Sequence, residues 1–379
     1  MQVILSILYK AVRKLNMGKT GMSVVYRLNK KFNYPSSEEM TAGDYAHRLN
    51  SLHKDVQSSA LRRNEIVSPT CDLQIIIPVY NVGRFLRECL DSILSSVTKY
   101  TYHLVIVNDG STDCSGEILS EYENDSRVTI INQGNKGLSG ARNTGLEKIF
   151  GRYVTFVDSD DLLAPDAITN WLDAAYRYDA DVVEGSFLRR LENGKVFGGV
   201  KWDKEAVENK SKMQGVAWLK IYKAELWQDI IFPVGYWYED TIICGLIQPL
   251  VKKYVQIPDY VYYYTLNKSS ISFNSRGRAK SLDNLYITKS VLNDADKLGL
   301  IKNNYEHYYS FFLYQAHTDW DRTYLLGGGI EYLIFKELCL LFNRYFPNDI
   351  EPKNLPSVMV KALRCHDFDS YRYSNLMEF

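Results

Sequence analysis

Two aspartates one residue apart, Asp158 and Asp160, close the apolar run Tyr153–Val157. Residues two apart on an extended backbone leave the same face, so both carboxylates share one side. Close carboxylates repel each other, and a hard divalent cation such as Mg2+ or Mn2+ relieves that repulsion while also binding substrate phosphates. An isolated Asp-x-Asp is usually a solvated turn; one that ends an apolar strand in an alternating α/β unit reads as a site. About eighty residues on, Tyr236-Trp237-Tyr238-Glu239-Asp240 sets a second acidic pair before the apolar stretch Thr241–Val251. Asp is a common helix N-cap, so by itself this pair reads as a capped helix start. Trp237 and Tyr238 fit either sugar stacking or core packing.

Ahead of the first pair lies a glycine-rich stretch, with Gly134, Gly137 and Gly140 spaced by three and Lys136 and Arg142 close by. The spacing is not GxGxxG and follows the third strand, not the first, which argues against a dinucleotide-binding Rossmann domain. A loop of this kind with two cations fits part of a nucleotide diphosphate, or a plain surface loop. Gly18-Lys19-Thr20 imitates the end of a phosphate-binding P-loop, but Arg13 stands where its first glycine belongs and no strand precedes it.

The elements that would position these groups alternate regularly. Leu73–Tyr80 is an apolar run of the kind buried on both faces. Arg84–Ser95 carries an apolar helical stripe. His103–Asn108, Arg127–Ile131 and Tyr153–Val157 read as further strands, Ser139–Phe150 and Pro165–Tyr178 as helices, and Asp181–Phe187 as extended. Strand and helix alternating at this spacing predict an α/β fold with a mostly parallel sheet and helices on both faces. Ligands of such sheets bind outside the carboxyl ends of the strands. Four consecutive strands deliver polar groups there: Tyr80-Asn81, Asn108-Asp109, Asn132–Gly140 and Asp158–Asp161.

Composition bounds the rest. In 379 residues, 46% hydrophobic and 24% charged content excludes wholesale disorder. Lys+Arg and Asp+Glu both number 45, so no net charge draws the chain to nucleic acid. The six cysteines are scattered without metal-ligand spacing and read as reduced and cytosolic. No apolar run approaches the roughly 18 residues of a spanning helix. Residues 1–32 hold seven basic side chains and no acid, and Val3–Asn16 has the period of a basic amphipathic helix. Two readings stand for it: docking on a membrane surface or packing on the main domain.

The residues quoted so far resemble one family, the family 2 glycosyltransferases with the GT-A (Rossmann-like) fold. The likeness rests on Ile76-Ile77-Pro78-Val79-Tyr80-Asn81, on Val107-Asn108-Asp109-Gly110-Ser111-Thr112-Asp113, on Asn135-Lys136-Gly137-Leu138-Ser139-Gly140-Ala141-Arg142-Asn143 and on Phe156-Val157-Asp158-Ser159-Asp160-Asp161. These four ordered motifs span 72–161; the likeness is weaker over 162–272, and 1–70 and 273–379 lie outside it. The resemblance implies that Pro78, Val79 and Tyr80 line the base pocket and that Asp109 bonds the base, normally uracil. It implies that Asn135, Lys136 and Arg142 hold the nucleotide and its phosphates. Asp158, with Ser159, would face the ribose or sugar, and Asp160, beside Asp158, would ligate Mn2+ or Mg2+. Asp240, paired with Glu239, would be the base that takes the acceptor's proton. Tyr262-Tyr263-Tyr264 leads to Lys268-Ser269-Ser270-Ile271-Ser272, which resembles the family's loop over the pyrophosphate and brings in Lys268 and Ser270.

The expectation is therefore a basic N-terminal extension and linker over 1–70, a GT-A domain over 71–272 and a helical C-terminal region over 273–379. The activity implied is inverting, metal-dependent transfer of a hexosyl or N-acetylhexosaminyl group. Its donor would be a nucleotide-sugar, normally UDP-linked, and its acceptor a glycan or lipid-linked sugar of bacterial surface polysaccharide synthesis. The enzyme would work in the cytoplasm or at the inner face of the membrane, with oligomerisation left open. Two alternatives share parts of the pattern. A sugar nucleotidyltransferase shares the sheet and acids but is expected to carry an Arg/Lys-containing glycine loop after its first strand, where Pro78-Val79-Tyr80-Asn81 stands. A non-catalytic glycan-binding scaffold has no need of four intact acids.

Overall fold

The computed structural model describes residues 41–267, 275–324, 326, 329–347 and 357–377. The basic segment 1–32, Lys268 and Ser270 lie outside the described residues. The chain divides into two compact units, one of Ser58–Ser270 and one combining the chain up to Gln57 with that from Ile271 onward.

In the second of these units, helix α1 (Ala42–Leu52) packs against the helix at Ile330–Tyr345. The Ser58–Ser270 unit is built on one sheet. Its first strand, β1 (Glu65–Val79), starts well before the apolar run that marks it in the sequence. Glu65 and Ile66 pair with Lys148 and Ile149, the register breaks before Cys71, and only Leu73–Val79 is fully buried. Hydrophobicity signals the half of a strand covered on both faces, so the polar first half reads as linker.

Helix α2 (Gly83–Leu94) follows and buries Leu86, Cys89, Leu90 and Ile93, the stripe expected from its period. Then come β2 (Tyr102–Asn108), the short α3 (Ser115–Ser120), β3 (Val128–Asn132), α4 (Gly137–Leu146) and β4 (Lys148–Phe156). The sequence reading carried α4 on to Phe150. It ends at Leu146 because Lys148 and Ile149 are taken into the sheet by β1. Inside α4, a Cβ on Gly145 would lie 2.4 Å from Ile76 Cγ2, so the helix can sit this close to β1 only without a side chain there.

After β5 (Leu162–Leu163) and α5 (Ala167–Tyr178) the sheet continues through β6 (Val182–Leu191), β7 (Val196–Val200), β8 (Ala206–Glu208), β9 (Lys220–Lys223) and β10 (Tyr254–Leu266). The strand order is β3-β2-β1-β4-β9-β6-β10-β5, with β7 on β6 and β8 on β10. The half β3-β2-β1-β4 is parallel throughout. Beyond it β9 runs antiparallel to both β4 and β6, while β6 and β10 are parallel, so the whole sheet is mixed. The α/β architecture matches the sequence expectation; the antiparallel insertion of β9 is what the element pattern did not reveal.

The helical unit contains α6 (Asp283–Lys297), α7 (Leu300–Asn303), α8 (Tyr305–Thr323), α9 (Ile330–Tyr345), α10 (Ser357–Cys365) and α11 (Phe368–Met377). These helices fall within the region 273–379 read as helical from the sequence. Phe335, Phe368 and Tyr371 form its aromatic centre, and His53 pairs with the buried Asp283 at 2.7 Å. Among the described residues no helix is long and apolar enough to cross a membrane.

Candidate active site

The carboxyl ends of β1 and β2 are tied to each other by side chain to backbone bonds. Asn81, in a left-handed conformation at the end of β1, accepts from the backbone N–H of Thr112 (2.7 Å). Asp113 accepts from Gly83 N–H at 2.9 Å, and Ser115 Oγ from Val82 N–H at 3.1 Å. The loops after β1 and β2 are thus one welded rim. Pro78 and Val79 are buried at its base, whereas Tyr80 is 48% exposed. Asp109 is buried, and its Oδ1 accepts from Gln133 Nε2 (2.7 Å) and from the backbone of Lys136 (2.8 Å). One oxygen of Asp109 therefore fixes the glycine-rich loop. Asn135 turns back to cap Gly137 N–H at 3.0 Å, and Asn135 and Lys136 both stand exposed.

After β4 the chain makes a tight acidic turn, closed by Asp161 N–H to Asp158 O at 3.0 Å. β10 holds that turn in place. Tyr262 Oη accepts from Asp158 N–H (3.1 Å), Asp161 Oδ1 accepts from Thr265 N–H (2.6 Å), and Asn267 Nδ2 donates to Asp160 Oδ2 (3.1 Å). Ser159 is buried within the turn. Burial, and then the charge of Asp158, push the Asp160 carboxyl above its ordinary range. Asp161, fully buried, is pushed well above it by burial and by both neighbouring acids.

Arg142, on α4, joins the acidic turn to the second acidic pair. Its Nη2 donates to Asp158 Oδ1 at 2.7 Å and its Nη1 to Glu239 Oε1 at 2.6 Å, and the arginine side chain is only 3% exposed. Burial disfavours the guanidinium charge, but Asp158 and Glu239 outweigh that and hold it protonated beyond its ordinary range. Phe232 packs under the guanidinium at 5.1 Å. The neighbouring Asn143 clamps Phe232 by pairing with both its backbone N–H and its C=O, at 2.8 and 2.7 Å. Both terminal nitrogens of Arg142 are engaged by acids, the half-buried Asp158 and the buried Glu239, and little of the group reaches solvent.

Glu239 is itself buried and spent on Arg142, whereas Asp240 is half-buried and directly precedes the helix that starts at Thr241. Tyr238, immediately before the pair, has a positive φ of 64°, a costly conformation for a bulky residue. It turns the chain so that two consecutive acids leave the backbone toward different surroundings. The helix continues with a π-helical stretch, Ile243–Ile247.

Of the sequence-derived site residues, Arg142 joins Asp158 to Glu239 and Asp109 holds Lys136, while Lys268 and Ser270 lie outside the described residues. Asn143, Tyr262, Thr265 and Asn267 were not assigned in advance. Asn143 stands within a quoted motif and Tyr262 within a noted tyrosine run, but nothing in the sequence pairs Asn267 with Asp160. Among the described residues no group of three or more His, Cys, Asp and Glu forms a metal cage. Two repelling carboxylates, one with a raised pKa, fit a hard cation that draws its remaining ligands from a bound diphosphate.

With this geometry in hand, comparison places the chain among known proteins. The family model described as glycosyl transferase family 2 matches residues 74–225. Glycosyltransferase GlyA of Streptococcus pneumoniae is 38% identical over 218 residues, covering 53% of this chain and 31% of GlyA. Glycosyltransferase GlyG of the same organism is 31% identical over 218 residues, covering 52% of this chain and 72% of GlyG. The chain therefore spans under a third of one relative and most of the other. Among solved structures, S. aureus TarS 1–349 in complex with UDP-GlcNAc superposes with a TM-score of 0.60 at 19% identity, over 81% of this chain and 90% of that one. At that identity the match speaks for the fold.

Proposed function

Because this chain belongs to glycosyl transferase family 2, we propose that it transfers one sugar from a UDP-linked donor to a glycan or lipid-linked acceptor, with inversion at the anomeric carbon. The sugar nucleotidyltransferase alternative falls with that membership. The observation that carries the proposal is Arg142, whose guanidinium ties the acidic turn to the Glu239-Asp240 segment. A donor seated at the turn then has Asp240 nearby.

In this reading the uracil lies against Tyr80 and the Asp109 rim, and Asn135 and Lys136 border the diphosphate. Asp160, with Asp158, would hold Mn2+ or Mg2+. When bound, such a cation offsets the negative charge of a departing diphosphate. Asp240 accepts the proton of the acceptor hydroxyl as its oxygen attacks the anomeric carbon and the bond to the diphosphate breaks. Glu239 keeps Arg142 charged and in place. That TarS was solved with UDP-GlcNAc and matches this fold supports a UDP-sugar donor.

The test is thermal unfolding with added nucleotide. UDP with Mn2+ raises the melting temperature by a few degrees through mass action on the folded state. Asp160→Ala removes the part of the shift that depends on Mn2+. Equal stabilisation by ADP and GDP would contradict the uracil assignment.

A further inference from the structure

The segment between β8 and β9 is anchored from below in an uncommon way. Lys220, fully buried, directs its Nζ at the carbonyls of Gln214 (3.0 Å), Val216 (2.8 Å) and Trp218 (3.4 Å), and pairs with the buried Glu184 at 3.2 Å. Tyr222 Oη donates to Ala217 O at 3.0 Å. Burial pulls the Lys220 ammonium below its ordinary range and pushes the Glu184 carboxyl above its own, each partly offset by the other. A charge pair this expensive to bury, spent on loop carbonyls, marks a loop whose exact shape matters. The loop ends at Leu219 in a left-handed conformation, φ 80°.

Trp218 is the product of that arrangement. Its indole lies over two tyrosines of β10, Tyr264 at 5.1 Å and 8° and Tyr262 at 4.7 Å and 22°, with the Phe187 ring edge-on at 5.2 Å. Even so it is only half-buried.

The position is as informative as the exposure. Tyr262, under the indole, also bonds the backbone of Asp158. At the other end of the loop, Gly215 sits against Cys244, one helical turn after Asp240. The loop thus spans from the acidic turn to the helix that Asp240 opens. It lies on the β6–β10 side of β4, while the β1–β2 rim lies on the opposite side.

We propose that Trp218 is the stacking platform of a pyranose-binding subsite on the acceptor side of the reaction centre. The inference rests on the glycosyltransfer reading and adds to it the place and chemistry of acceptor recognition. A flat, rigid aromatic face takes the apolar C–H face of a pyranose, and the indole N–H offers a hydrogen bond to a ring hydroxyl or to an N-acetyl oxygen.

The probes are methyl β-D-glucopyranoside and methyl N-acetyl-β-D-glucosaminide, observed by saturation-transfer NMR on the full chain. UDP binding is measured in parallel by thermal shift. Wild type is expected to pass saturation from aromatic protons to the pyranose C–H protons of at least one glycoside. Trp218→Leu, which keeps apolar contact with the tyrosines, should weaken that glycoside about tenfold, and Trp218→Phe by less. Neither substitution should move the UDP shift. If UDP binds and neither glycoside does, or if Trp218→Leu binds the glycoside as well as wild type, the subsite is not at Trp218. If UDP itself does not bind, the glycosyltransfer reading fails and the inference falls with it.

Discussion

Replacing Glu239 and Asp240 one at a time separates two roles that adjacent, chemically similar residues would otherwise share. In Glu239→Gln, Arg142 loses one of its two anionic partners, in a pair 2.6 Å apart with side chains 3% and 9% exposed. Removing one member of a buried ion pair costs about 3–5 kcal/mol. Gln keeps an oxygen where Oε1 stood, and a neutral hydrogen bond returns about 0.5–1.5 kcal/mol. The net loss is about 2–4 kcal/mol. For a unit the size of Ser58–Ser270, each kcal/mol moves the midpoint by about 2–4 °C, so the melting temperature should drop by about 5–15 °C. Asp240→Asn predicts the opposite pattern. Asp240 is half-buried ahead of a helix start, and Asn caps a helix about as well as Asp, so stability should stay within about 0.5 kcal/mol. UDP affinity should also survive. UDP release from a hydrolysed UDP-sugar should nevertheless fall by about 10²-fold or more, the scale of losing a positioned base. The assays are calorimetry or dye-based melting and coupled detection of UDP. The reasoning is refuted if Glu239→Gln melts like wild type but loses turnover while Asp240→Asn keeps it; the base would then be Glu239.

Two further expectations concern stability alone. Asp319, fully buried on α8, has its carboxyl pushed from the ordinary 3.8 up to about 7 by burial, against the opposing pull of Asn284 and Arg322. A raised acid contributes stability that is complete below the ordinary value and is lost as pH climbs to the folded one. The stability of the helical unit should therefore fall by about 4 kcal/mol between those pH values, and Asp319→Asn should flatten that slope in a pH series of denaturant melts. Gly145→Ala should destabilise by about 1–3 kcal/mol despite Ala's better helix propensity, because the new Cβ meets Ile76 Cγ2 at 2.4 Å. An Ile76→Ala background should make the second change cheaper, and a double-mutant cycle that returns simple additivity would show the contact to be harmless.

How much of this was legible in the residues follows the range of the interactions involved. The parallel half of the sheet, the stripe of α2 and the acid-bearing strand ends came through because each is written in local period: apolar runs for buried strands, a 3.6-residue stripe for a helix, polar residues where a strand stops. The polar first half of β1 did not come through, since its strand conformation is imposed by pairing with Lys148 and Ile149 and not by its own hydrophobicity. The antiparallel β9 was equally silent, being four residues long and defined by its two neighbours. Sequence placed Asp158, Asp160, Glu239 and Asp240 on the page as candidates but could not say which acid of the second pair is spent on structure. That was decided by Arg142, which reaches one acid from each pair across 16 and 97 residues of chain. Trp218 shows the same limit. Its type is visible in the sequence, but only the stacking of Tyr262 and Tyr264 beneath it and the grip of Lys220 on its loop make it a held, half-exposed face. Local pattern fixes what each segment can be; which side chains are left over for chemistry depends on partners brought together from far along the chain.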